Sequence, residues 1–290
     1  MKTPGGALHG LSWVAALATM LLQTTVAALP PGARPEAADQ MEGSSVEARA
    51  DTSRHLVNAR APLYRTIGRL TGSMTCTAAI VLHPRIVLTA AHCVTGHMSA
   101  MRRAKLIFRP AYQAGVGLGV FEARVWSIGT AQQLEEQSLH DASRDWAILL
   151  LEERPVGIRP LRVSSYTSGQ LKSLRGGIRL PSYSLDMAKG QALSIDPMCS
   201  IRDAIWEILL HDCEAAAGAS GAPLLVRDDV WYAVVGVHSG SVFVDDKDHR
   251  PARLIGNSAI SVERFGASLR RLLKQLDAED DTEGMHPLVN

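Results

Sequence analysis

Between Pro62 and Leu276 the apolar positions fall in short runs that alternate with polar residues or are wholly apolar. These are LYRTIGRL (63–70), CTAAIVLH (76–83), IVLTAAHC (86–93), AKLIFR (104–109), FEARVWSIG (121–129), WAILLLE (146–152), AIWEILLH (204–211), APLLVR (222–227) and WYAVVGVHSG (231–240). Turn residues separate them, with HPR at 83–85 reading as a hairpin connection, and the pattern predicts an all-β barrel or sandwich. Only residues 261–276 show helical spacing. There Val262, Phe265, Leu269, Leu272, Leu273 and Leu276 share one face, which predicts a C-terminal α-helix. The acidic stretch 277–290 is expected to be a flexible tail.

The first 60 residues follow a different pattern. Lys2 and His9 precede the apolar LSWVAALATMLLQTTVAA, which ends in Val26, Ala27 and Ala28. A basic start, an apolar middle and a small-residue end predict a signal peptide over 1–28, cut after Ala28. A membrane anchor is the alternative, but the run sits near the lower spanning limit and Gln23, Thr24 and Thr25 interrupt its end. Residues 29–60 are rich in Pro, Ala, Gly, Ser and charge, the composition of a linker or propeptide, with Arg54 and Arg60 as candidate processing points. The domain is therefore expected over 61–276, secreted or periplasmic, with no stable membrane span once the signal is removed.

The chain has 290 residues, 46% hydrophobic and 20% charged, with a formal net charge of +1. That supports a packed core and argues against a nucleic-acid binder, since MRRAK and RRLLK are its longest basic clusters. In an exported chain the 4 cysteines, Cys76, Cys93, Cys199 and Cys213, read as disulfides in one of three connectivities. Pairing neighbours would close two short loops, each stabilising by roughly 3 kcal/mol in a chain-entropy picture. A zinc site using His92 or His211 is the competing reading, weakened by the lack of a C-x-x-C pair.

Chemistry concentrates in three places. GASGAP (218–223) holds Ser220 between two glycines, as a strained nucleophile turn or an ordinary tight loop would. A serine nucleophile needs a base, and LTAAHC (88–93) offers His92 beside two alanines. The base in turn needs a carboxylate, and RDWAILLLE offers Asp145 directly before an apolar strand; Asp141 is the competitor, in a more polar loop.

TAAHC, DWAILL and GASGAP, in the order His, Asp, Ser, resemble the three signatures of chymotrypsin-like serine peptidases over about residues 62–276. The resemblance implies two six-stranded antiparallel β-barrels followed by a C-terminal helix. It implies a catalytic triad of His92, Asp145 and Ser220, and an oxyanion hole from the N–H groups of Gly218 and Ser220. It also implies disulfides Cys76–Cys93 and Cys199–Cys213, protein or peptide substrates, and no metal or organic cofactor. LYRTIGRLTG, LLHDCEAAAGASGAPLL and VVGVHSG further resemble the glutamyl endopeptidase branch of secreted bacterial enzymes. Ala219 stands where trypsin-type enzymes place an aspartate before the nucleophile, so an ion pair between that aspartate and the N-terminus cannot be the activation switch.

The resemblance brings Glu214, Ala215, His238 and Gly240 to the specificity pocket. His238 suits a glutamate carboxylate. Ala215 replaces a threonine common in the branch, and Glu214 occupies the position that sets preference for Arg or Lys in trypsin-like pockets, unless it is a solvated acid turned away. Two other classes compete with a secreted serine endopeptidase. One is an inactive peptidase-scaffold binding protein. The other is an α/β-hydrolase esterase, for which Asp245 with His249 or His286 would follow the serine, although the elbow lacks its last glycine.

Overall fold

The computed structural model describes residues 54–95, 105–129, 142–244 and 253–284. Strands β2 (Ile67–Thr71), β3 (Thr75–Ile80), β4 (Ile86–Thr89), β5 (Leu106–Pro110), β6 (Phe121–Ile128) and β7 (Ala147–Leu151) close into a barrel in the order β2-β3-β4-β7-β6-β5. Every residue of β4 and β7 is buried, as their unbroken apolar runs require. Gly68 opposes Pro110 in the β2–β5 ladder, and a Cβ there would lie 2.4 Å from the Phe108 ring. That position therefore accepts no side chain.

The second sheet contains β1 (His55–Leu56), β8 (Arg162–Val163), β9 (Ile178–Ser182), β10 (Ser194–Cys199), β11 (Ile201–Ile205), β12 (Ile208–His211), β13 (Pro223–Asp228), β14 (Trp231–Val244) and β15 (Arg253–Ser261). Its path runs β1-β10-β9-β13-β14-β15-β12-β11, with β8 pairing in parallel with β14. The six strands from β10 to β12 form the wall of the second barrel. Its two ends meet through the Cys199–Cys213 disulfide, through Asp212 N–H donating to Ser200 O (3.2 Å), and through Ser200 N–H donating to the Asp212 carboxylate (2.6 Å). The two-barrel, all-β architecture with its C-terminal helix is the one expected.

Several elements differ from the periodicity reading. AIWEILLH is two strands, β11 and β12, because Trp206 and Glu207 adopt φ of 52° and 60° and turn the chain between Ile205 and Ile208. β9 and β10 contain Pro181 and Pro197, which mask a strand signal. A short helix, α1 (Ser168–Ser173), starts on a capping box between Thr167 and Gln170.

Regular structure extends beyond both ends of 61–276. β1 lies within the stretch assigned to the linker, yet His55 and Leu56 pair with Ile195 and Ser194, Val57 N–H donates to Leu193 O (2.9 Å), and Ala59 is fully buried. The C-terminal helix α2 spans Val262–Gly284, past the expected end at Leu276. Its extra turns face the first barrel through charge. Asp280 accepts from Arg154 (2.8 Å) and contacts His83 Nε2 (3.3 Å), and Glu279 lies 3.7 Å from Arg85. The stretch expected to be a signal peptide (1–28), most of the stretch expected to be a propeptide or linker (29–60) and the last six residues of the expected tail lie outside the described residues. Among the described residues, no helix is long and apolar enough to cross a membrane.

Candidate active site

His92 and Asp145 meet because of strand register. β4 pairs with β7 up to Thr89 opposite Ala147, so the chain just after Thr89 and the chain just before Ala147 leave the barrel side by side. His92 Nδ1 lies 2.8 Å from Asp145 Oδ2, and the His92 backbone N–H donates to Asp145 Oδ1 at 2.9 Å. The Cys76–Cys93 disulfide ties the residue after His92 to β3. Asp145 is buried, and the Ser239 hydroxyl donates a third hydrogen bond to it.

Burial alone would raise the Asp145 carboxyl, but the hydrogen bond and charge of His92, then the Ser239 hydroxyl and the His92 N–H, hold it below the usual carboxylate range. Burial alone would lower the His92 imidazole. The hydrogen bond and charge of Asp145 outweigh it and keep His92 above its ordinary value.

The loop bearing Ser220 is stitched to the first barrel by Thr77, with Thr89 packed close against Gly221; sequence reasoning missed both threonines. Thr77 N–H donates to Ser220 O (2.9 Å), and Thr77 Oγ1 donates to Gly218 O (2.8 Å) while accepting from Tyr183 N–H (2.9 Å). Thr89 Oγ1 donates to Thr77 O (2.9 Å). A Cβ on Gly221 would lie 2.1 Å from Thr89 Oγ1, and one on Gly218 would lie 2.5 Å from Tyr183 O. Both glycines also have positive φ, of 80° and 93°. Glycine at both positions therefore follows from backbone conformation and close approach. The only sequence signal for Thr77 was its place beside Cys76.

Ala219 N–H donates to Ala216 O and Gly221 N–H to His238 O, whereas those of Gly218 and Ser220 donate to none of the described residues. Ser220 Oγ is 3.5 Å from Ser239 O, the carbonyl of the residue whose hydroxyl holds Asp145. Serine hydroxyl and imidazole are not hydrogen-bonded in this state, a geometry common before substrate binds.

Of the expected pocket residues, Glu214 and Ala215 line a cavity of about 270 Å³, together with Arg54, Asp212, Cys213, Leu254, Gly256 and Asn257. Gly240 and His238 both sit in the β14–β15 ladder, opposite Ser258 and Ala259, and His238 is buried. Cys213 N–H donates to His211 Nδ1 (3.2 Å), so the His211 proton resides on Nε2, which faces His238 Nδ1 at 3.2 Å. The His238 proton is thereby assigned to Nε2. Burial, then the neighbouring His211 and His92, keeps His238 far below its ordinary pKa, so it is a neutral donor. Glu214 is only 25% exposed and lies 3.8 Å from the Arg54 guanidinium, so it is not a freely solvated acid.

The four sulfurs are joined in the two disulfides, which removes the thiolates that the zinc reading required. A closed antiparallel barrel is not an α/β-hydrolase. Asp141, Asp245, His249 and His286 lie outside the described residues.

Two barrels with a histidine, an aspartate and a serine gathered from both define the class of chymotrypsin-fold proteases. The chain belongs to the trypsin-like peptidase domain family, which it matches over residues 76–237. The solved structure of a Glu endopeptidase in complex with MPD is similar over 76% of this chain and 97% of that one, at 18% identity and a TM-score of 0.56. The protease Anisep from Arthrobacter nicotinovorans is similar over 72% of this chain and 93% of that one, at 15% identity and a TM-score of 0.51. Comparison with curated proteins returned no match.

Proposed function

We propose that the protein is an exported serine endopeptidase acting through an acyl-enzyme. The observation that carries this reading is the buried Asp145 carboxylate hydrogen-bonded to both the ring and the backbone of His92, beside the Gly218–Gly221 turn. His92 accepts the Ser220 proton as Oγ attacks the scissile carbonyl. Asp145 holds the tautomer and stabilises the imidazolium that forms. The Gly218 and Ser220 N–H groups receive the oxyanion, and His92 returns the proton to the leaving amine. Water then releases the acyl group by the same path in reverse.

Residues 1–28 direct export and are removed, which suits the two disulfides to an oxidising compartment. Residues 29–60 form a propeptide or linker, within which β1 pairs with β10.

Labelling with a fluorophosphonate probe tests the reading, alongside peptide hydrolysis. The native chain is expected to label, and Ser220→Ala to fold normally while losing labelling and nearly all hydrolysis. Equal hydrolysis by Ser220→Ala would remove Ser220 from the mechanism, and a folded native chain that never labels would leave the inactive-scaffold reading standing.

A further inference from the structure

One residue of the first barrel holds the carbonyls of both residues of the expected oxyanion hole. Thr77, fully buried in β3, donates its backbone N–H to Ser220 O (2.9 Å) and its hydroxyl to Gly218 O (2.8 Å). The same hydroxyl accepts the Tyr183 N–H (2.9 Å), so it bridges Gly218 to the segment that follows β9. Two residues further on, Leu185 N–H donates to Ala217 O at 2.7 Å. That segment is itself fixed. Tyr183 is fully buried, and its ring lies edge-on to that of Tyr112, just past β5, at 6.0 Å.

These contacts decide the hand of a turn. Ala219 N–H donates to Ala216 O (2.9 Å) and Gly218 has a φ of 93°, which makes residues 216–219 a type II turn. Turning over the Ala217–Gly218 peptide would convert it to type I and put the Ala217 carbonyl where the Gly218 N–H had pointed. Glycine accepts either form, so the choice falls to the partners. Leu185 N–H holds the Ala217 carbonyl in its present direction, and the Thr77 hydroxyl ties the segment bearing Leu185 to the next carbonyl, Gly218 O. Removing that hydroxyl takes the partner from two buried backbone groups at once, a cost that a reoriented turn relieves.

We propose that Thr77 is a positioning residue for the oxyanion hole: its hydroxyl, through Gly218 O and the Tyr183–Leu185 segment, keeps the turn in its type II form and the Gly218 N–H available to the developing oxyanion. This role deepens the peptidase reading and rests on it for the chemistry, while the hand of the turn is readable even in an inactive protein.

The test uses the full chain with Thr77→Val, which keeps the shape without the hydroxyl, and Thr77→Ser, which keeps the hydroxyl. Thr77→Ala replaces the valine variant if that one does not fold. Steady-state hydrolysis is measured with inhibition by a peptide trifluoromethyl ketone, whose serine adduct places an oxyanion in the hole. Thr77→Val is expected to lose at least about tenfold in kcat with KM within about twofold, and to bind the ketone at least about tenfold more weakly. Thr77→Ser should recover most of both. Crystal structures should show the type II turn in the native chain and in Thr77→Ser, and the Ala217–Gly218 peptide turned over in Thr77→Val. A folded variant without the hydroxyl that keeps native kcat and ketone affinity, or that loses only in KM, overturns the proposal. So does a serine variant no better than the valine one. If the native chain neither hydrolyses peptides nor labels with the fluorophosphonate, the peptidase reading fails, and the crystal structures decide alone. A turned-over peptide in the valine variant would sustain the role of Thr77, and an unchanged turn would end it.

Discussion

The first barrel closes by backbone hydrogen bonds alone, whereas the second ends on β10 and β12 and is joined there by a disulfide and an aspartate. Their interiors differ in the same sense. β4 and β7 bury continuous aliphatic surface between the His92 and Asp145 ends. The second barrel buries Ser182, Ser194, Asp196, His211, His238 and Asn257, and their hydrogen bonds run to backbone groups and to one another. In the first barrel the β4–β7 ladder, buried along its whole length, fixes the register of the segments that bear His92 and Asp145. A polar barrel can build a pocket with particular charge and donors, but each buried group depends on its neighbours. His92 and Asp145 thus rest on the half with the aliphatic strands, whereas Glu214 and Ala215 line a cavity on the polar half.

Asp145→Asn attacks the contribution of the first barrel most directly. The amide keeps the shape but loses the charge and the tautomer control, so kcat should fall by roughly 10⁴ in steady-state assays. The pH profile sharpens this. His92 must be neutral to accept a proton, and its pKa is raised above 6.5, so native activity should rise with pH through a midpoint above 6.5. In Asp145→Asn both raising causes vanish while burial remains, so the midpoint of any residual activity should move below 6.5. A midpoint unmoved by that substitution would mean that Asp145 does not govern the base.

Stability tests the packing beneath the same site. Phe265 of α2 is fully buried, with its ring 5.9 Å from that of Trp146, the residue after Asp145. Phe265→Ala should cost about 3–5 kcal/mol in denaturant unfolding. A loss under 1 kcal/mol would show that the helix does not support the first barrel.

The mode of closure predicts a smaller asymmetry. The two disulfides span similar separations, 17 and 14 residues, so chain entropy alone would make them worth nearly the same, roughly 3 kcal/mol each. Replacing Cys199 and Cys213 with serine also opens the seam of the second barrel, whereas replacing Cys76 and Cys93 leaves a ring still hydrogen-bonded. The first pair should therefore lower stability more in parallel denaturation curves. Equal losses would erase the distinction between the barrels.

Much of this was legible along the chain because the signals are local. Apolar runs mark all six strands of the first barrel, the helical spacing of Val262 to Leu276 marks most of α2, and the small residues around Ser220 and His92 mark tight turns. Where local signals fail, a partner distant in sequence decides. β9 and β10 contain prolines yet become strands because their neighbours pair with them, and α2 continues past Leu276 because Asp280 and Glu279 meet Arg154, His83 and Arg85. Thr77 looked like an ordinary strand residue until the fold set it against Gly218 and Ser220. Arg54 reads as a processing site in a linker, and only the β1–β10 pairing delivers it to Glu214. Residue type and spacing determine which chemistry is available and which segments extend or coil. Which of those groups are buried together, and so which charges cancel, depends on contacts between distant segments that exist only once the chain has folded.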